Sequence, residues 1–472
     1  MATVSINITN LTCKLTGDVK TLRKLRNETK IRNPNAYYIR QYMAPGWDGY
    51  QQRITDAGYI ASGLLPMMYN LLTDWGVDII LNDNRDLVEP VEIPDRVKDF
   101  VFREYQGEAI KAVINNYIGD VYWPRGIQSA ATNAGKSLMM AGIAACYPDL
   151  PGLILLNDGT LYKQMLTDMP KLFTDWGYCQ GKKIKFGHVT VAMVQTLVTH
   201  LEEFRQELAE IGVLLVDECD LSTSKTYKKV LSKIPNAFVR VGLSGSVLVR
   251  NMAKDKLKNN LIVSQFGDIL FKIKNKELMA LGYSTPVVIK LNIGNRVVGS
   301  KTTYEEEYLE RIVRNNARNN MWASRVQYYL KSGTYPILVV ARLHEHVETL
   351  YNLMAIKFGR EFRVGYAHGG LPEKERDSAI EFFREGELDI LVASMIIRRG
   401  QNMPLIRAIL NTAGGDGPSS PLQIIGRGTR TDDSKEKVFY EDAYDQGWFL
   451  ERHSKHRYIY YKNEGLKIIK FF

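Results

Sequence analysis

The chain has 472 residues, 45% of them hydrophobic, and carries a formal net charge of +10. That hydrophobic fraction excludes a globally disordered chain, and no apolar run reaches the ~18 residues needed to cross a bilayer as a helix. The length accommodates about two to four domains, and the basic excess favours polyanions, nucleic acid first.

Cys13, Cys146, Cys179 and Cys219 are scattered, with no Cys/His spacing for zinc. They read as packing residues of a chain in a reducing compartment. The opening "MATVSINITNLTCKL" lacks a basic stretch followed by an apolar one, so no signal peptide is expected, and the protein is expected to be intracellular and soluble.

Residues 1–92 form the first predicted unit. "VSINITNLTCKL" alternates like a strand, and "DVKTLRKLRNE" reads as a helix with Asp18 as N-cap. "NAYYIRQYM" is a strand candidate, "APGWDGYQQRIT" a turn-rich hairpin, "GLLPMMYNLLTDWG" a short helix and "VDIILND" a strand; the two prolines of "LVEPVEIPDRV" mark a linker. The unit is a small α+β domain. Lys14, Lys20, Arg23, Lys24, Arg26, Lys30, Arg32 and Arg40 outnumber Asp18 and Glu28 between residues 14 and 40, a footprint suited to phosphates. Tyr37, Tyr38, Tyr42 and Trp47 either stack on exposed bases or fill a small core.

Beyond residue 100 short apolar runs recur: "LILL" at 153–156, "VLLV" at 213–216, "ILVVA" at 337–341, "DILVA" at 389–393 and "IRAIL" at 406–410. Helical patterns separate most of them, which indicates parallel sheets covered on both faces. A break near "ALGYSTPVVIKLNIGNRVVGSKTT" divides the region into two α/β domains, 93–285 and 286–472.

In "GIQSAATNAGKSLMMAGI" (126–143) a strand gives way to a small-residue loop and an apolar helix. Thr132, Asn133, Ala134 and Gly135 are small enough for backbone N–H groups to close around phosphate oxygens, helped by the helix N-terminus. Lys136 reaches the β- and γ-phosphates and the Ser137 hydroxyl ligates Mg²⁺ in such a loop. Ala130 and Asn133 depart from the full glycine pattern.

"LLVDECD" (214–220) ends a buried-looking strand in three carboxylates. At the carboxyl end of a parallel strand, Asp217 is placed to hold Mg²⁺ and Glu218 to orient or deprotonate the attacking water.

With the phosphate loop upstream, Asp217–Asp220 resembles the DExD/H motif of superfamily-two helicases and translocases, which implies two RecA-like lobes. Other stretches carry the same resemblance. "FREYQGEAI" (102–110) is similar to the Q-motif region, implying adenine recognition by Gln106 with Arg103 beside it. "LILLNDGTLYKQM" (153–165) resembles motif Ia. "VTVAMVQTLV" (189–198) is similar to a strand-contact segment, with Thr190 and Gln195 as the contacts. "VGLSGS" (241–246) takes the place of motif III, with Ser244 and Ser246, together with Asp220, coupling hydrolysis to DNA. "ILVVARLHEH" (337–346) resembles motif IV, and 366–394 runs on into motif V. "QIIGRGTR" (423–430) is similar to motif VI, implying that Arg427 and Arg430 stabilise the transferring phosphoryl and that Gln423 contacts the γ-phosphate or the water. At motif V, "RRGQN" retains Gly400 in the nucleotide role but has Asn402 in place of an acid; Arg398 and Arg399 either touch a phosphate backbone or form a solvated face.

The N-terminal segment and the loops "T-x-A-G-x-S", "DEC" and "GLSGS" resemble phage helicases of the UvsW type over nearly the whole chain. That resemblance implies a DNA helicase using ATP and Mg²⁺ on branched or forked DNA, in Holliday-junction migration and fork regression, in the cytoplasm of an infected bacterium. An RNA helicase, or a non-enzymatic nucleic-acid-binding protein with a decayed ATP site, are the rival readings; a small-molecule kinase or transport ATPase leaves the second-lobe arginines unexplained.

Overall fold

The computed structural model describes residues 2–34, 36, 47–245, 253–293, 303–395, 403, 405–415, 424–426, 428 and 435–471. By backbone contacts they divide into two compact units, 1–130 with 135–272, and 273–472 with 131–134. The segment 1–92 therefore packs in one unit with the residues up to 272, and the division falls ahead of the predicted residue 285.

The first unit opens with a four-stranded sheet. Strands β1 (Thr3–Ile8) and β2 (Thr12–Gly17) form a hairpin, and helix α1 (Val19–Thr29) follows. Asp18 caps it as predicted, accepting from the Thr21 N–H at 2.8 Å, which stabilises a helix by about 1 kcal/mol. After β3 (Tyr59–Ala61), helix α2 (Leu65–Asp74) and β4 (Asp78–Asp83), the sheet order is β3-β2-β1-β4. Val4, Ile6 and Ile8 alternate inward to meet Leu25, Leu65, Met68 and Leu72. Most of "NAYYIRQYM", including Tyr37, Tyr38 and Tyr42, lies outside the described residues.

An eight-stranded sheet follows helix α3 (Glu104–Ile114). Its elements are β5 (Arg125–Ala130), α4 (Lys136–Ala145), β6 (Gly152–Leu156), α5 (Gly159–Leu172), β7 (Trp176–Gln180), β8 (Lys183–Lys185), β9 (Val189–Met193), β10 (Val213–Asp217), β11 (Val239–Ser244), α6 (Ala253–Phe266) and β12 (Ile269–Ile273). The order is β8-β7-β9-β6-β10-β11-β5-β12. Strands β5, β6, β9, β10 and β11 are buried at every residue, as both-face coverage requires.

The second unit holds β13 (Val287–Ile293), α7 (Asn316–Lys331), β14 (Ile337–Val340), α8 (His344–Phe358), β15 (Val364–Ala367), α9 (Glu373–Arg384), β16 (Ile390–Ala393), β17 (Ala408–Asn411), β18 (Val438–Tyr444), α10 (Leu450–Asn463) and β19 (Lys467–Phe471). Its seven strands run in the order β15-β16-β14-β17-β18-β13-β19, every pair parallel. The unit begins early because the residues after β12 belong to it: Lys274 Nζ donates to the Asn463 carbonyl at 3.0 Å and Asn275 Nδ2 to Glu464 at 2.9 Å. On β18 two neighbouring carboxylates are buried on opposite faces. Glu441 accepts from Arg325 Nε at 2.7 Å and Tyr329 at 2.7 Å on α7, and Asp442 from Arg457 Nε at 2.8 Å and Tyr461 at 2.7 Å on α10.

Candidate nucleotide-hydrolysis site

The sheet order decides which residues of the first unit meet. Strand β11 lies between β5 and β10, in a register that sets Ser244 opposite Ser129 and Leu243 opposite Asp217. The ends of three parallel strands thus bring the phosphate loop, the acidic turn and Ser244 to one edge, where α/β proteins bind ligands.

The phosphate loop needs two residues in the left-handed region, Asn133 at φ +73° and Gly135 at φ +75°. Asparagine tolerates that conformation and glycine adopts it freely. Gly135 is required for a second reason: a Cβ there would stand 2.4 Å from Gln106 Nε2. Gln106 is buried at the start of α3, where its Oε1 accepts the Arg103 N–H at 3.0 Å. Gln106 and Arg103 are therefore placed beside the loop. Ala134 is buried, Thr132 and Ser137 half-buried, and Lys136 opens α4, whose N-terminus favours anions.

Asp217 ends β10 with 8% of its surface exposed, and its Oδ1 is buried without a hydrogen-bond partner. Burial pushes its pKa up to about 6; the Lys136 charge opposes the rise and Glu218 adds to it. A buried carboxylate oxygen lacking a partner, next to a phosphate-binding loop with a serine, suits a hard divalent cation, so the donor set of Asp217 and Ser137 fits Mg²⁺.

Glu218 takes φ +50°, uncommon for a residue with a side chain. That turn sends the chain into a 3₁₀ turn, Cys219–Leu221, which seats Cys219 against β11. A Cβ on Gly242 would meet Cys219 Cβ at 2.8 Å, so Gly242 is what lets the acidic turn approach. Ser244 donates to Asp220 Oδ1 at 3.0 Å and to Glu218 Oε2 at 3.3 Å. The Asp220 pKa is also raised to about 6, by burial and then by Glu218. Asp220 thus has Ser244 as a hydrogen-bond partner. Gly242 was missed in the sequence, although a glycine inside an apolar strand signals a close approach.

Two expected nucleic-acid contacts separate. Thr190 is fully buried: its hydroxyl donates to the Gly187 carbonyl at 3.2 Å and accepts from the Gly187 N–H at 3.1 Å. It holds a turn, because its strand is covered on both faces, and the expectation that it touches a strand is corrected. Gln195 is exposed and donates to Asn157 Oδ1 at 2.7 Å, at the end of β6. Asn157 was not singled out in the sequence; a polar residue closing the buried run "LILLN" was the available signal. Trp47 is half-buried, with its indole N–H given to the Tyr50 carbonyl at 2.8 Å. Ser246, Arg398, Arg399, Gly400, Asn402, Gln423, Arg427 and Arg430 lie outside the described residues.

Two family models match the chain: type III restriction enzyme, res subunit, over residues 99–247, and helicase conserved C-terminal domain over residues 323–432. Together with the phosphate loop and the acidic turn on one sheet edge, they define an ATP-hydrolysing helicase of superfamily two. Within that class the chain is similar to helicases of the UvsW type. It is 22% identical, over 93% of its length and 90% of the other's, to the ATP-dependent DNA helicase uvsW of Enterobacteria phage T4. Two solved structures share the fold. The type ISP restriction-modification enzyme LlaBIII bound to DNA has a TM-score of 0.56 at 12% identity, over 83% of this chain and 33% of that one. Dbp5 of S. cerevisiae bound to RNA and ADP BeF3 has a TM-score of 0.53 at 17% identity, over 78% of this chain and 89% of that one. Among the described residues no helix is long and apolar enough to cross a membrane.

Proposed function

We propose that the chain uses ATP hydrolysis to remodel branched DNA, migrating four-way junctions and regressing forks during phage recombination, repair or replication in the infected bacterium. The observation that carries the hydrolytic part is the Asp217 carboxylate, buried without a hydrogen-bond partner on Oδ1 and under the influence of the Lys136 charge.

In this reading the loop amides and Lys136 bind the β- and γ-phosphates, and Gln106 and Arg103 hold the adenine end. Asp217 and Ser137 hold Mg²⁺, which when bound neutralises phosphate charge. Glu218 orients the attacking water and takes its proton as the water oxygen bonds to the γ-phosphorus and ADP leaves. Arg427 and Arg430 offset the charge of the transferring group, with Gln423 at the γ-phosphate or the water and Gly400 lining the nucleotide. Ser244 and Asp220, with Ser246, relay the state of the phosphates to the nucleic acid. Gln195, Trp47, Arg398 and Arg399 supply contacts to DNA.

DNA is favoured by the likeness to a phage DNA helicase over nearly the full chain and by the basic run at residues 14–40. The fold alone does not discriminate, since LlaBIII was solved with DNA and Dbp5 with RNA. The test is ATP turnover with a mobile four-way junction, a simple fork, a plain duplex and RNA at matched salt, alongside migration of the junction. The junction and fork are expected to stimulate most, and Lys136→Ala to abolish turnover with the fold intact. Stimulation by RNA alone would reverse the assignment.

A further inference from the structure

We infer that Arg125 is a positioning residue that locks the N-terminal sheet to the rear ends of the two strands carrying the phosphate loop and Ser244, so that this sheet and the nucleotide site move as one body.

Arg125 is the first residue of β5 and is 1% exposed. A guanidinium has five N–H donors, and each has an acceptor here. Nε donates to the Phe238 carbonyl at 3.1 Å and Nη2 to the Ala237 carbonyl at 2.7 Å, in the chain that enters β11. Toward the N-terminal sheet, Nη1 donates to the Asn10 carbonyl at 2.5 Å and Ser62 Oγ at 2.9 Å, and Nη2 to Asn10 Oδ1 at 2.7 Å. None of these acceptors is a carboxylate. Asp83, the acid in reach, is bonded to Arg85, which lies over the same Trp123 ring as Arg125. A charge buried this way is held by geometry: removing any acceptor leaves a donor without water.

The seam around Arg125 is tight as well. A Cβ on Gly63 would come within 2.2 Å of the Val263 carbonyl on α6. Trp123 and Val263 also belong to the apolar cluster of the N-terminal sheet. Strands β5 and β11 are adjacent and in register, Arg125 opposite Arg240 and Ser129 opposite Ser244. One guanidinium therefore fixes the starting ends of both strands, about 17 Å from the ends that carry the phosphate loop and Ser244. A sheet is stiff along its strands, so tilting the N-terminal sheet moves both ends together. This rests on the proposed function only in that it gives the N-terminal segment a role in nucleic-acid engagement.

The test uses the full chain with Asn10→Ala and Ser62→Ala together, which remove two acceptors and leave every nucleotide-site residue in place. Two readouts are taken below the variant's unfolding midpoint: amide hydrogen exchange over residues 129–138, and ATP turnover with and without a four-way junction. The expected result is exchange over 129–138 faster by about fivefold, basal turnover within about twofold of the parent, and the stimulation ratio down about fivefold. Unchanged exchange over 129–138 overturns the inference, as does a proportional fall of basal and stimulated rates. If the parent chain is stimulated by no nucleic acid, the proposed function fails, and the exchange readout still decides the role of Arg125.

Discussion

Ser244 donates its hydroxyl to Asp220 at 3.0 Å from the end of the strand that separates the phosphate-loop strand from the acidic one. The same hydroxyl reaches Glu218 at 3.3 Å, so one side chain touches both the group assigned to the water and the turn behind it. Replacing Ser244 by Ala leaves two half-buried acceptors short of a donor. Nucleic-acid-stimulated ATP turnover is expected to fall about tenfold, equivalent to one hydrogen bond's worth of barrier, while the KM for ATP changes little. Steady-state kinetics with and without DNA check this.

Asp217 and Glu218 should separate in a stability measurement. Glu218→Gln is expected to lower turnover by about 10²- to 10⁴-fold, the usual worth of a general base, with little change in unfolding midpoint. Asp217→Asn should also stop hydrolysis, yet make the nucleotide-free fold more stable at neutral pH, on the order of 1–3 kcal/mol, because it removes a charge that burial disfavours. Denaturant unfolding at pH 7.5 without Mg²⁺ is the measurement, and equal stability of the two variants would contradict it.

Gly242→Ala places a methyl 2.8 Å from Cys219 Cβ. In a strand buried on both sides the contact is relieved only by displacing the acidic turn. A loss of about 1–3 kcal/mol is expected, together with reduced turnover; Cys219→Ser, which adds no volume, should leave turnover close to that of the parent.

Thr190 and Gln195 were paired in the sequence and part company in the structure. Thr190→Val should cost about 1 kcal/mol of stability through its lost hydrogen bonds to Gly187, without altering DNA affinity at fixed salt. Gln195→Ala should weaken DNA binding and leave the unfolding midpoint unchanged. Fluorescence anisotropy beside thermal unfolding distinguishes the two.

His346 supplies a pH dependence. It is fully buried on α8, with Nε2 3.1 Å from Asn319 Oδ1, and burial, aided by the Arg318 charge, pushes its pKa down to about 3. The unfolded imidazole takes a proton near pH 6.5 and the folded one does not, so stability is full above 6.5 and declines as pH falls toward 3. At pH 5 the loss is about 2 kcal/mol. The second unit's unfolding midpoint should drop between pH 7 and pH 5, and His346→Gln should flatten that drop.

The nucleotide site was legible in the sequence because its chemistry is local. A phosphate loop is a strand, a few small residues and a helix start within 18 positions, and "LLVDECD" shows charge where burial ends. Thr190 was misread because a strand covered on both faces has no polar side to betray which residues reach solvent. The union of the N-terminal sheet with the first RecA-like sheet was not legible either. It depends on Arg125 meeting Asn10 across 115 positions, and neither residue stands out from its neighbours. The linker-like prolines at 90 and 94 read correctly as irregular chain, but an irregular connection does not imply independent bodies.

The carboxylates of β18 bear on how the second sheet finds its alignment. Apolar parallel strands offer weak instructions about register, since sliding one valine into another's place changes little. Glu441 and Asp442 remove that freedom. A slip of one residue would turn Glu441 toward α10 and Asp442 toward α7, away from Arg325 and Arg457, and each stranded charge would cost about 3–5 kcal/mol. The middle of the sheet is therefore keyed, with acid and base cut for one alignment, and the strands on either side inherit it.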